Sequence, residues 1–204
     1  MVLTERQNDT ISELINIAFS RTGAALSELT GQRVLLSPPS VSMHRTADLP
    51  RVLEKFMPGE IASIHQVFGG PVSGDALLLL NHVGAMELTG LLVEEPARNR
   101  FLDESAREVL TEVGNILLNA CLGMFGNLLR IHVSFSIPRL HLVSLDSLIG
   151  SLFSDDSDRR YSLVVSTAFQ VRDSAVSGFL VMALNVASFD RLLQELDQWE
   201  GRQA

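Results

Sequence analysis

Two pairs of side chains stand out by type and spacing: Glu13 with Asn16, and Glu112 with Asn115. On a helix, residues three apart sit about 60° apart around the axis and roughly 4.5 Å along it, so each pair presents a carboxylate beside an amide. Asp9 and Ser20 extend the first pair by one turn on either side, and Glu108 and Asn119 extend the second at the same spacing. A carboxylate accepts hydrogen bonds and pairs with a cation, while an amide both donates and accepts. Such a strip suits recognition of a partner and positioning of small polar groups.

The elements that must carry these strips are legible. From about Glu5 to Leu29, the apolar residues Ile11, Leu14, Ile15, Ala18, Phe19 and Leu26 fall mostly three and four apart, the stripe of an amphipathic helix. Thr4 with Gln7 predicts a capping box and Gly31 a stop. Val109, Val113, Ile116, Leu117, Ala120 and Met124 trace a second stripe, with Gly126 near its end. Both polar strips lie away from these stripes and are expected to face solvent or a partner.

The chain repeats itself. Glu13, Asn16 and Pro39 recur as Glu112, Asn115 and Pro138, each displaced by 99 positions. Val72-Ser73-Gly74 and a strand ending at Asn81 recur as Val176-Ser177-Gly178 and a strand ending at Asn185, displaced by 104. Each copy continues with a short extended piece, Arg33–Leu36 or Arg130–Ile137, and then a hairpin. The first hairpin joins Ile61–Phe68 to Val72–Leu80 across Gly69-Gly70-Pro71, and the second joins Tyr161–Val171 to Ala175–Leu184 across Arg172-Asp173-Ser174. A closing helix follows near His82–Val93 and Ala187–Trp199, while Asp155–Arg160 reads as a polar, mobile loop. The expected fold is α+β, a duplicated unit with pseudo-two-fold symmetry. Its sheet is mostly antiparallel, with the two long amphipathic helices side by side on the outside. Residues 1–204 are expected to form one domain of two repeats, about 1–97 and 98–204.

Composition narrows the functions. Hydrophobic residues are 46% and charged residues 20%, with a net charge of −8 and no basic cluster, which argues against nucleic acid as a partner. The short apolar runs Ala76–Leu80 and Phe179–Leu184 read as buried strands rather than membrane spans. With one cysteine, Cys121, and no signal-peptide pattern at Met1–Arg6, a cytoplasmic protein without membrane attachment is expected.

The pattern Asp/Ser-x3-Glu-x2-Asn-x22-Pro resembles the signature of the CheC/CheX/FliY phosphatases of chemotaxis. Asp9, Glu13, Asn16 and Pro39 match every named position, and Glu108, Glu112, Asn115 and Pro138 match all but the first. One Glu-x2-Asn-x22-Pro match arises by chance in roughly 2% of chains this long, so two in one chain argue against coincidence. Two copies make the chain look most like CheC. The resemblance implies hydrolysis of the aspartyl phosphate of a CheY-like response regulator. In that reading Asn16 and Asn115 orient the attacking water, and Glu13 and Glu112 dock the receiver's lysine. No cofactor of the chain's own is implied, since the receiver brings Mg²⁺. A CheD-like protein is a further candidate partner.

Weaker readings stand beside these. Asp9, Ser20, Glu108 and Asn119 are secondary partner-binding candidates, and Ser105 with Glu108 offers a capping box as a local alternative. Pro39 and Pro138 are read as structural, Cys121 as core, and His44, His65, His82, His132 and His141 show no metal-ligand spacing. Gly114 is expected to loosen the second helix by about 1 kcal/mol relative to alanine. The first site, matching the pattern more fully, ranks slightly ahead. The alternative function is a non-catalytic binding module for a receiver, a CheD-like protein or a flagellar switch. A switch subunit itself is the weakest reading, because such proteins usually carry a further C-terminal domain.

Overall fold

The first apolar stripe folds as helix α1, Glu5–Thr30. Thr4 caps it: its hydroxyl accepts from the Gln7 N–H at 3.2 Å, and the Gln7 side chain accepts from the Thr4 N–H at 3.1 Å. Gly31, at φ 66°, ends it in the left-handed conformation. Ile11, Leu14, Ile15, Ala18 and Phe19 are buried, as their spacing requires. The computed structural model describes residues 3–31, 33–93, 102–153, 160–171 and 174–203, and the side chain of Leu26 lies outside that description.

After α1 come strands β1 (Val34–Leu36) and β2 (Ser40–Arg45), a 3-10 turn (Thr46–Asp48), and the short helix α2 (Leu49–Leu53). The hairpin β3 (Glu60–Gly69) and β4 (Gly74–Asn81) leads into α3 (His82–Val93). The same series then runs again: α4 (Glu104–Leu129), β5 (Ser134–Phe135), β6 (Arg139–Ser144), α5 (Leu145–Phe153), β7 (Arg160–Val171), β8 (Ser174–Asn185) and α6 (Val186–Gln203). Asn81 and Asn185, expected as strand ends, also cap the helices that follow. Their Oδ1 atoms accept from the Gly84 and Ser188 N–H groups at 2.7 and 2.8 Å. The polar loop expected before β7 falls largely on residues 154–159, and the second hairpin's turn on 172 and 173, all outside the described residues.

Several expectations are corrected. Asp103, not Ser105, caps α4, its Oδ1 accepting from the Ala106 N–H at 2.9 Å, so Ser105 and Glu108 lie inside the helix. Helix α4 runs past Gly126 to Leu129, and Arg130 takes the left-handed position at φ 62° that Gly31 holds in the first copy. Its most buried side chains are Leu110, Leu117, Leu118, Cys121, Leu122, Phe125 and Leu129, with Val113 beside them. Val109, Ile116, Ala120 and Met124 are only half-buried. Of Arg130–Ile137, only Ser134–Phe135 is strand. Strands β2 and β6 and helices α2 and α5 were not foreseen. Both strands mix polar and apolar residues at the sheet margin, and α2 has only 5 residues, too short for a periodic signal.

The eight strands among the described residues form one sheet, in the order β1-β7-β8-β4-β3-β5, with β2 also pairing β7 and β6 also pairing β3. Every pairing is antiparallel. At its centre Leu77 of β4 pairs with Val181 of β8. Since 77 + 104 = 181, this residue faces its own counterpart in the repeat, as a local two-fold axis demands. The strands are apolar on both faces because both are covered. Ala62, Ile64, Leu78, Leu80, Leu163, Val165, Leu180 and Met182 point to the layer of long helices, and their alternates Ile61, Leu77, Leu79, Val164, Phe179 and Val181 meet α2 and α5. Helices α1 and α4 pack side by side on the long-helix face, where the Arg21 Nη1 donates to the Met124 Sδ at 3.3 Å.

One difference concerns α4. By length and composition it is apolar enough to cross a membrane, although no such span was expected. Its apolar side is spent on α1, α3 and the sheet, so it reads as a core helix.

Candidate functional site

The first strip stands open on α1. Asp9, Glu13, Asn16 and Ser20 are all exposed. The second strip differs. Glu108 and Glu112 are exposed, but Asn115 and Asn119 are half-buried. Both strips are expected to face solvent or a partner, and the difference in the second is that Asn115 and Asn119 are half-buried.

Its cause is a buried glutamine on the sheet. Gln66 of β3 is 1% exposed and points toward the long helices, in the same phase as Ala62, Ile64 and Phe68. Its amide nitrogen donates to the Ser136 carbonyl at 2.8 Å and to the Asn119 Oδ1 at 3.1 Å. The Asn119 Nδ2 donates in turn to the Asn115 Oδ1 at 2.7 Å. A backbone carbonyl only accepts, so Ser136 dictates which end of Gln66 faces it. That choice sets the orientation of Asn119, which then sets that of Asn115. The Gln66 Oε1 is buried without a hydrogen-bond partner, a condition that costs about 1–3 kcal/mol. Sequence reasoning missed Gln66, though a signal was available: an amide in the apolar phase of a strand.

The motif's long spacing has a geometric reading. From Asn16 to the end of α1 the helix descends about 21 Å. Residues 31–38 can then climb back at most about 26 Å. The spacing therefore leaves enough chain for the segment bearing the proline to return level with the asparagine. On the way it is pinned to the helix, for Ser27 Oγ accepts from the Val34 N–H at 2.9 Å. In the second copy, the Ser136–Gln66–Asn119 bonds tie that returning segment to the strip directly. Pro39 and Pro138 each stand immediately before an outer strand, β2 and β6, where a missing N–H costs least.

Helix α4 must lie very close to β3 for this contact. A Cβ on Gly114 would meet the Ile64 side chain at 2.6 Å. Gly114 is thus a packing requirement between Glu112 and Asn115, in addition to its cost in helix propensity.

Elsewhere, two histidines that looked scattered come together on the opposite face. His65 on β3 lies 2.9 Å from an Asp75 carboxylate oxygen, and its ring is 5.9 Å from that of His141 on β6. Burial, then the neighbouring charges of His65 and Arg139, pull the His141 pKa below its ordinary value. Among the described residues no group of three or more His, Cys, Asp or Glu is arranged to hold a metal ion. Cys121 is core, and burial pushes its thiol up to about 12.

No protein-family model matches the chain. Solved structures do. FliY of Thermotoga maritima superposes with a TM-score of 0.79 over 98% of this chain and 100% of its own, at 18% identity. This chain has the fold of FliY. The FliM middle domain of H. pylori follows the same path with a TM-score of 0.68 at 12% identity, covering 95% of this chain and 99% of that one. CheX of Borrelia burgdorferi, crystallised with CheY, BeF3 and Mg²⁺, gives a TM-score of 0.50 at 15% identity, over 83% of this chain and 97% of that one. The α+β class and mostly antiparallel sheet expected from the sequence are those of FliY and CheX.

Proposed function

We propose that the chain is a CheY-interacting module of chemotaxis or two-component signalling, and that it hydrolyses the receiver's aspartyl phosphate. The observation carrying this reading is that two long helices of a FliY- and CheX-like fold each present Glu and Asn one turn apart, followed at the same spacing by a strand-opening proline. The CheX structure solved with CheY supports a receiver as the partner. The doubled motif is what likens the chain to CheC in particular. The reading takes residues 1–204 as one domain of two repeats, working in the cytoplasm where receivers work.

In this reaction a water oxygen bonds to phosphorus as the bond to the aspartyl oxygen breaks. The carboxylate leaves with the electron pair, and the water's proton goes to the released phosphate. Phosphoryl transfer needs in-line placement and charge stabilisation more than covalent help. Asn16 or Asn115 supplies the placement by holding the water, and Glu13 or Glu112 docks the receiver by pairing with its lysine. Holding one water is worth about 10²- to 10³-fold, about 3–4 kcal/mol. The receiver brings its own Mg²⁺.

The test is decay of a phosphorylated CheY-like receiver with Mg²⁺, with and without the chain. Acceleration at substoichiometric amounts upholds the reading; binding with unchanged decay overturns it. The second reading, a module binding a receiver, a CheD-like protein or a flagellar switch, draws on the FliM likeness, H. pylori FliM having been crystallised with FliG.

A further inference from the structure

We infer that Gln66 and Asn119 are positioning residues for Asn115, forming an amide relay anchored on the Ser136 carbonyl; the inference rests on the phosphatase reading for its kinetic part only. The relay has a direction. Ser136 fixes the Gln66 nitrogen, Gln66 fixes the Asn119 oxygen, and Asn119 fixes the Asn115 oxygen, at 2.8, 3.1 and 2.7 Å. With its Oδ1 held from within, Asn115 turns its Nδ2 hydrogens and its remaining Oδ1 lone pair in set directions. An amide that must meet a phosphoryl oxygen and a water at once gains from that fixed rotation.

The other copy shows what the relay adds. There the Ser37 N–H donates to the Ala168 carbonyl as the Ser136 N–H donates to the Val67 carbonyl, both at 2.9 Å. Thr167 Oγ1 donates to the Ser37 carbonyl at 3.0 Å, the bond that Gln66 makes to Ser136. Thr167 thus stands where Gln66 stands, since 168 − 67 and 167 − 66 are both 101. Its side chain makes the backbone anchor but ends before the helix, and Ser20 occupies the position of Asn119. Both Ser20 and Asn16 are exposed. The anchor is common to both copies, and the relay to the helix belongs to one.

The experiment has two arms. In the free protein, side-chain amide ¹⁵N relaxation should show the Asn115 NH₂ ordered and the Asn16 NH₂ mobile, with Asn115 becoming mobile in Gln66→Met, a substitution that keeps length and volume. In an Asn16→Ala background, Gln66→Met and Asn119→Ala should each lower kcat for receiver dephosphorylation about tenfold while KM stays within twofold. The double variant should be no worse than the poorer single one. Equal mobility of the two asparagines in the wild type overturns the relay. So does kcat unchanged in Asn119→Ala, which is partly exposed and tests the idea should Gln66→Met fail to fold. If the wild type lacks phosphatase activity, the first arm still decides the relay, and only the function falls.

Discussion

An asparagine inside a helix is neither a good helix former nor a strong acid or base, so its use must come from what faces each edge of its amide. In Asn115 the amide oxygen is bonded by Asn119 and the side chain is half-buried, whereas Asn16 is exposed. The two glutamates are exposed alike, which suits docking in a solvated interface, where one charge pair contributes about 1 kcal/mol or less to several when desolvated. Replacing Glu112 by Ala in an Asn16→Ala background should raise KM for the phosphorylated receiver about tenfold with kcat held within threefold. Steady-state kinetics checks this, and a fall in kcat alone would assign Glu112 to the chemical step.

At the scale of elements, the decisive contact is α4 on β3. Gly114→Ala would gain about 1 kcal/mol of helix propensity. It would also drive a methyl group into Ile64 at 2.6 Å, an overpacking that costs about 1–3 kcal/mol. The net expectation is destabilisation by up to about 2 kcal/mol in urea unfolding, and a stabilised variant would show that α4 stands off the sheet. The sequence could not disclose this, because a glycine required by a distant strand looks the same as one that merely weakens a helix. The long helices, the hairpins and the Thr4–Gln7 cap were legible, since their signals are periodic or lie within a few residues. The marginal strands β2 and β6 were not, because their polar character comes from lying at the sheet's outer paths. Gln66 escaped for another reason: its role depends on Ser136 and Asn119, more than fifty residues away in the chain.

The whole molecule is interlocked. Strands β1 and β2 pair with β7 of the second copy, and β5 and β6 pair with β3 of the first. Each copy's outer strands thus complete the other's hairpin. Residues 1–97 or 98–204 made alone should therefore lack cooperative unfolding, while the two mixed should recover it, as far-UV circular dichroism with thermal melting would show. A folded, monomeric half would contradict this. The opposite face adds a pH dependence. The depressed His141 pKa means that the unfolded chain binds more protons just below pH 6.5, so stability is full above that value and is lost as pH falls toward the lowered folded pKa. Substituting His141→Gln should flatten the stability profile in that window, with His65 and Arg139 retained as its neighbours. The central claim is catalysis by the helix asparagines, and phosphate release from a phosphorylated CheY-like receiver with Mg²⁺ tests it most directly. The account predicts that wild type accelerates release and that Asn16→Ala/Asn115→Ala abolishes the acceleration while still binding the receiver. Undiminished release by that double variant would contradict it.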